Sequence, residues 1–494
     1  MKENSRQTQL AKVLSPMQVW ALALGSIIGW GCFILPADSF LPNSGPLGTV
    51  IGFAVAALVL CPVVLTYGDM IKHAPVAGGE YAHTYMGFGQ KWAFVCGWAL
   101  VLGYISIIGA NISALSLLVR YLLPGVFDFG ELYTIAGWKV CTGEVLLMIV
   151  GILFFGYINY RGISIAGTLQ MILAFVLTGG VVLLLLGCAA VDTASVSNLN
   201  PLFSPSQSPF ACVIAIVAIA PWAFVGFDTV SQSAEEFSFS PRKATKIMLA
   251  SLVCGAMLYC LVTIAVGIVI PYPEMLANME ALRQSGQSGW ATGVACEMAY
   301  GRTGAVILGL AMLAAVCTGI MGFFVATTRL LFSMGRGHIL PDWFAEIHPK
   351  YHSPYKAILF TMAVVMVVPW CGRAVLTWIV DMSSVGIGIA YMFTCLTGYR
   401  VLKHSAVAGK SWKLVIALIG AAVALMCIFL LLTPGSPAYI SLEARWAMVG
   451  WIVLGIGFYF VSRKNWLSRS EDEIREQILG NPGMAVYFKQ HAGE

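Results

Sequence analysis

Of 494 residues, 59% are hydrophobic and only 10% are charged, against about a quarter charged in soluble domains. That composition excludes a water-soluble fold and predicts an all-α integral membrane protein. The net charge of +5 says less than its placement, and no nucleic-acid partner is expected.

Long apolar runs predict twelve transmembrane helices, at roughly 17–38, 46–69, 92–120, 143–160, 165–188, 210–234, 247–270, 304–334, 357–372, 375–399, 413–433 and 444–462. An even number returns both ends to one side. Of the Lys and Arg residues, 22 fall on the side of the N-terminus and 6 on the other. This bias makes both termini cytoplasmic, in a multi-pass protein of the cell (inner) membrane. The expected division is a cytoplasmic arm over 1–16, a ten-helix core over 17–403, helices 11 and 12 within 404–463, and a cytoplasmic tail over 464–494. The first apolar segment has full span length and no small-residue cleavage pattern after it, so a secretory signal is not expected.

Span 1 holds Gly25, Gly29 and Gly31 within seven positions near its middle. Each glycine costs about 1 kcal/mol in a helix relative to alanine. A break in lipid is tolerated only under the cover of protein or a polar cavity. The stretch reads as a discontinuous helix whose loose N–H and C=O groups hold a ligand; the competing reading is a small-residue face for close helix packing. The span ends near Pro36 and Asp38.

Span 2 follows Pro46 and ends at Asp69. The loop Pro75-Val76-Ala77-Gly78-Gly79-Glu80-Tyr81, with Tyr85 and Trp92 beyond, reads as an interfacial segment with aromatic anchors. Span 3 carries Asn111, Ser113 and Ser116, which line a cavity or bond between helices. Span 6 then repeats the opening peculiarity. In Ala220-Pro221-Trp222-Ala223-Phe224-Val225-Gly226-Phe227-Asp228, Pro221 and Gly226 bracket a short non-helical stretch. Span 1 runs inward to outward and span 6 the reverse. Two broken helices in corresponding, oppositely directed positions point to an inverted-repeat transporter with its site at the midplane. Further on, a short surface helix is expected over 273–284, and span 8 ends in Thr327-Thr328-Arg329. Span 10 opens with Asp381-Met382-Ser383-Ser384. Spans 11 and 12 are unbroken and apolar, suited to a scaffold or a homodimer face. The tail allows a turn or two of helix around Glu471 to Leu479, before Asn481-Pro482-Gly483.

At each break one half-helix ends in open C=O groups and the next begins with open N–H groups. A zwitterion fits: its carboxylate on the N–H groups around Gly29 to Gly31, its ammonium on the carbonyls around Ile27 and Ala223 to Val225. That is an α-amino acid, or an amine relative lacking the carboxylate. Asp228 is the most central charge; a mid-membrane carboxylate costs at least ~2.5 kcal/mol. It reads as a proton carrier, gate or cation contact, or as the N-cap of the second half of span 6. Glu235 and Glu236 are expected to pair with basic loop residues. Trp222 is a wall or lid of the pocket, or plain packing. Trp30 narrows the pocket or points away toward span 3 or span 10. The thirteen cysteines and seven histidines show no metal-ligand spacing and no nucleophile–base arrangement. No metal, cofactor or enzyme activity is therefore expected. Most of the cysteines read as small apolar core residues; Cys32, beside the break, is the one to test with a thiol reagent.

These residues resemble the amino acid–polyamine–organocation permeases. The motifs are Gly-Ser-Ile-Ile-Gly-Trp-Gly-Cys-Phe-Ile-Leu-Pro at 25–36, Pro-Val-Ala-Gly-Gly-Glu-Tyr at 75–81, Phe-Val-Gly-Phe-Asp-Thr-Val at 224–230 with Glu235-Glu236, and Ala326 to Pro341. The span-6 motif is most similar to the cationic amino acid transporter branch. The resemblance implies a leucine-transporter-like fold, a five-plus-five inverted repeat with helices 1 and 6 discontinuous and two added helices. It also implies alternating access, and a substrate backbone held at Ile27, Gly29, Gly31 and the carbonyls near Phe224 and Val225. Two departures stand out. The family's first motif usually has Ser between the glycines, where this chain has Trp30. Proton-coupled relatives share a span-5 lysine, where this span has only apolar or neutral residues such as Gln170, Ala174 and Phe175. Exchange, or proton coupling through Asp228, is therefore expected over lysine-dependent symport. The rivals are a polyamine or organic amine transporter and a membrane sensor that binds the same ligand without moving it.

Overall fold

A backbone in lipid must satisfy its own hydrogen bonds, and this chain does so with helices along most of its length. The computed structural model describes residues 10–36, 40–123, 125–135, 138–277, 291–372, 375–404, 410–434, 436 and 439–480. Helix α1 (Pro16–Ile27) opens on a capping box between Ser15 and Gln18, with Pro16 in its first turn. It stops at Ile27, and α2 (Gly31–Leu35) follows after a three-residue gap. Then come α3 (Leu41–His73), α4 (Gly79–Leu122), a hairpin of β1 (Glu131–Ile135) and β2 (Trp138–Cys141), α5 (Thr142–Tyr160) and α6 (Ile163–Ala189). Helix α7 (Pro209–Ala223) is again cut short and resumes as α8 (Thr229–Gln232). The rest is α9 (Ala244–Val269), α10 (Ala291–Tyr300), α11 (Arg302–Arg336), α12 (Tyr355–Val365), α13 (Val375–His404), α14 (Lys410–Leu432) and α15 (Leu442–Leu467). Among the described residues, nine helices are long and apolar enough to cross a membrane.

The centre of the bundle is α4, which packs along α13 and α11. Helix α1 lies against α6, α9 and α11, and α7 lies along α3. Helices α14 and α15 form an outer layer with much of their apolar surface exposed, including Trp412, Phe429, Trp446 and Phe460. Helix α15 is pinned to α4 by a reciprocal pair. Trp98 Nε1–H donates to the Trp451 carbonyl at 2.9 Å, Trp451 Nε1–H donates to the Trp98 carbonyl at 3.0 Å, and the rings stack at 4.5 Å. Two interhelical hydrogen bonds plus an aromatic pair are worth about 2 kcal/mol. Trp98→Ala removes the stack and the Trp98 indole bond but keeps the main-chain carbonyl that Trp451 uses; it is expected to lower stability by about 1–2 kcal/mol in a thermal melt and to loosen α15 first, read as early proteolysis there.

Several expectations need correction. The 75–81 stretch is not an interfacial segment. Gly78 (φ 80°) and Gly79 (φ 25°) turn the chain inward against Ser333 and Ser231, so α4 begins at Gly79, and Glu80, Tyr81 and Tyr85 are buried. Only Trp92 is exposed. The end of span 8 is also further on: α11 continues past Arg329 to Arg336. The expected surface helix appears as a helical turn over 272–277, with Tyr272 buried and its hydroxyl donating to the Leu41 carbonyl. The hairpin and α10 were not anticipated. In the tail, 471–480 is helical and buries Ile474, Ile478 and Leu479. Asp38, residues 278–284 and Asn481-Pro482-Gly483 lie outside the described residues.

Candidate substrate site

The two interruptions touch. At Gly226 φ is +132°, a conformation an L side chain rarely adopts, and a Cβ there would lie 2.5 Å from the Ser26 carbonyl carbon and 2.6 Å from the Ile27 nitrogen. Only glycine lets the 224–228 segment rest directly on the last peptide of α1. A second close approach comes from α11, where Gly322 makes room for the Ser26 hydroxyl. That hydroxyl donates back to the Leu22 carbonyl at 2.7 Å.

Both interruptions leave main-chain groups open. Among the described residues, the N–H groups of Gly29, Trp30 and Gly31 make no main-chain hydrogen bond, and the carbonyls of Ile27, Ala223, Phe224 and Val225 accept none. Beside them is a cavity of about 40 Å³ measured to the centres of water molecules, which admits two or three waters. Ile27, Gly29, Trp30, Gly31, Trp222, Ala223 and Val225 line it. Phe224 and Gly226 do not: the Phe224 ring packs edge-on against Phe53 and Tyr259, and Gly226 is spent on the contact with α1.

From α4 the cavity takes Ile107, Ala110 and Asn111, from α11 Phe323, from α13 Ile379, Val380 and Ser383, and from α9 Tyr259. Asn111 donates its amide to the Ile107 carbonyl at 2.9 Å, and its buried Oδ1 has no partner. No Asp, Glu, Lys or Arg side chain lines the cavity. Trp30 and Trp222 also border a larger cavity of about 750 Å³ that runs past Leu35, Asn43, Gln207 and Asp381. The two indoles thus stand between the small cavity and the large one, and a side chain at Gly31 would meet Trp222 at 3.3 Å.

Asp228 is not in the cavity wall, and its side chain does not cap α8. Its Oδ1 accepts the Gly226 N–H at 2.9 Å and the Tyr391 hydroxyl at 3.2 Å, and its Oδ2 accepts the Tyr104 hydroxyl at 2.5 Å. The carboxylate turns back toward the break and ties it to α4 and α13. Glu235 pairs with Arg336 at 2.9 Å and Glu236 with Arg329 at 3.0 Å; both arginines belong to α11, not to a loop. Gln170 of α6 is buried and donates to the Thr318 carbonyl at 3.1 Å. Cys32 is fully buried, so a thiol reagent would not reach it in this conformation. Among the described residues no group of side chains is arranged to hold a metal.

Sequence reasoning missed Glu80, Tyr104, Tyr391 and most of the cavity's apolar wall. Tyr104, Ile107 and Asn111 share one face of α4 at helical spacing, a signal that would have found them together. Glu80 was hidden in a stretch read as a loop.

Comparison with known proteins identifies the family. The model of the family described as amino acid permease matches residues 14–458. Over 474 residues the chain is 26% identical to the branched-chain amino acid permease BcaP of Bacillus subtilis, covering 93% of this chain and 95% of that protein. It is 28% identical to the vacuolar cationic amino acid transporter 4 of Arabidopsis thaliana, covering 72% of this chain and 58% of that longer protein. A methylthioribose transporter of Bacillus subtilis is 25% identical over 72% of this chain and 74% of that one. The family match takes in both interruptions and every helix that walls the cavity, and the chain belongs to the amino acid permeases of the amino acid–polyamine–organocation superfamily.

Proposed function

We propose that the protein is a secondary transporter that carries a neutral amino acid with an apolar side chain across the cell membrane by alternating access. The observation that carries this is the pairing of open backbone N–H and C=O groups with a cavity that has no charged side chain in its wall. The N–H groups of Gly29 to Gly31 take the carboxylate. The carbonyls of Ile27 and Ala223 to Val225, with Asn111 Oδ1, take the ammonium. Ile107, Ala110, Phe323, Ile379 and Val380 meet the side chain. A cationic side chain or a polyamine would bury a second positive charge with no anion against it, at a cost of several kcal/mol. The similarity to a branched-chain permease supports the same substrate class.

In this reading the fold has twelve spans in a five-plus-five inverted repeat, with three shorter apolar helices, Pro16–Ile27, Pro209–Ala218 and Tyr355–Cys371, completing the nine longer ones. The termini are cytoplasmic, on the side holding 22 of the Lys and Arg residues. The small cavity belongs to a closed conformation, and it enlarges when Trp30 and Trp222 part toward the larger cavity. Helices α14 and α15 supply a scaffold or a homodimer face. Movement is coupled to a proton through Asp228 or proceeds by exchange.

The test is a thermal-shift screen of the purified protein with leucine, valine, alanine, arginine and putrescine, followed by flux of the best ligand into proteoliposomes. Leucine at a hundredfold excess over its Kd is expected to stabilise by about 2.7 kcal/mol, and arginine and putrescine not at all. Stabilisation by putrescine alone would overturn the substrate class. Binding without flux would make the protein a sensor. Asn111→Leu removes a hydrogen bond to a charged group, worth about 1.5–3 kcal/mol. It is expected to weaken leucine binding tenfold or more in the same titration.

A further inference from the structure

Glu80 and Asp228 stand apart from every other buried acid among the described residues. Among the described residues, buried Asp69, Glu144 and Glu236 each hold a cation: Lys72 and Lys413, Arg120, and Arg329. Glu80 and Asp228 are both fully buried and make no ion pair among the described residues. Asp228 compensates with three donors. Glu80 does not. Its Oε2 accepts the Ser231 hydroxyl at 2.7 Å and the Gln232 amide, while its Oε1 has no partner.

The surroundings of that bare oxygen are specific. The Tyr67 hydroxyl of α3 faces both the Glu80 carboxyl and the Thr394 hydroxyl of α13. Glu80 Oε1, Tyr67 Oη and Thr394 Oγ1 are all buried and all lack a hydrogen-bond partner. A buried polar atom left unpaired is costly, and these three share a simple remedy. One proton provides it: placed on Oε1, it donates to Tyr67, whose hydroxyl then donates to Thr394. The other titratable or charged groups facing Glu80 are the Asp228 carboxylate, the Cys96 thiol of α4 and, beyond Asp228, the Tyr104 and Tyr391 hydroxyls. The nearby Arg336 pairs with Glu235. Asp228 and Glu80 are joined through α8, where the Ser231 hydroxyl lies within bonding distance of both Glu80 Oε2 and the Asp228 carbonyl, at 2.7 and 2.8 Å. Its single hydrogen serves one of them at a time.

We infer that Glu80 is a proton-binding site for transport, holding the proton in this conformation and exchanging it with Asp228 as the α8 turn moves. The inference rests on the proposed transport function and deepens it. The step makes one O–H bond on a Glu80 carboxyl oxygen and breaks one on Asp228, or the reverse. The proton then leaves Glu80 for water on one side of the membrane.

The test has two arms. In infrared spectra of the purified protein near neutral pH, the wild type is expected to show the carbonyl band of a protonated, water-shielded carboxyl. Glu80→Gln removes it and Glu80→Asp keeps it, shifted. In proteoliposomes without internal leucine, a gradient of one pH unit drives about tenfold accumulation of labelled leucine per coupled proton. Glu80→Gln is expected to drop that ratio to about one, while leucine–leucine exchange falls far less; a merely structural role would lower both together. An unchanged infrared band and unchanged accumulation in Glu80→Gln overturn the inference. Should Glu80→Gln fail to assemble, Tyr67→Phe takes away the acceptor and must shift the band, and an unshifted band overturns the inference equally. The infrared arm needs no substrate, so a wild type that does not move leucine refutes the transport reading while Glu80 is still decided.

Discussion

Gly226→Ala is expected to abolish leucine-induced stabilisation and transport together, and to cost about 3 kcal/mol of stability. The strain of a non-glycine residue in a sparsely populated backbone region is about 1–3 kcal/mol, and overpacking adds a comparable amount. The new methyl group would stand against the Ser26–Ile27 peptide, which is backbone and cannot rotate away. Relief requires the 224–228 segment to lift off α1, and that movement separates the open carbonyls of one interruption from the open N–H groups of the other. It also withdraws the Gly226 N–H from Asp228. The control is Gly179→Ala in α6, where a Cβ would meet nothing within 4 Å. A thermal melt and a leucine titration of both variants check this, and a Gly226→Ala protein that binds leucine like the wild type would refute the apposition.

The second large effect belongs to the ion pair at the other end of the same segment. Arg329 and Glu236 have side chains 1% and 2% exposed, joined by two hydrogen bonds of 3.0 and 3.2 Å. The Glu236 carbonyl also accepts the N–H groups of Val13 and Leu14, so the pair anchors the arm that leads into α1. Breaking a buried pair from one side leaves an uncompensated charge and costs about 3–5 kcal/mol. Arg329→Ala should therefore unfold at a much lower temperature. Replacing both partners by apolar residues, Arg329→Met with Glu236→Leu, should recover most of that loss. Equal destabilisation in the single and double variants would mean that the arginine acts through something other than this pair.

The two interruptions were legible because the chain marks them chemically. Glycines at 25, 29 and 31, and Pro221 with Gly226, are residues a continuous membrane helix avoids. What lies between those marks was less legible. Asp228 also read as a cap, because aspartate is a good N-cap; the position of the Gly226 N–H and of two tyrosines from distant helices turns its carboxylate the other way. Glu80 was placed in a loop because Gly78 and Gly79 look like helix breakers, whereas their positive φ angles fold the chain inward and start a helix there. The tail misled in the opposite sense: its charges hid Ile474, Ile478 and Leu479, whose spacing forms a one-sided apolar stripe that docks on the bundle. Tertiary partners decided each of these cases, and single-segment patterning does not contain them.

The most direct measurement is an electron cryomicroscopy structure of the protein in lipid nanodiscs with leucine, or with whichever amino acid stabilises it most. The account predicts ligand density between 27–31 and 222–225, with the carboxylate on the N–H groups of Gly29 to Gly31 and the ammonium near Asn111 and the Ala223 to Val225 carbonyls. Density confined to the larger cavity beyond Trp30 and Trp222, with the backbone groups of both interruptions untouched, would contradict it.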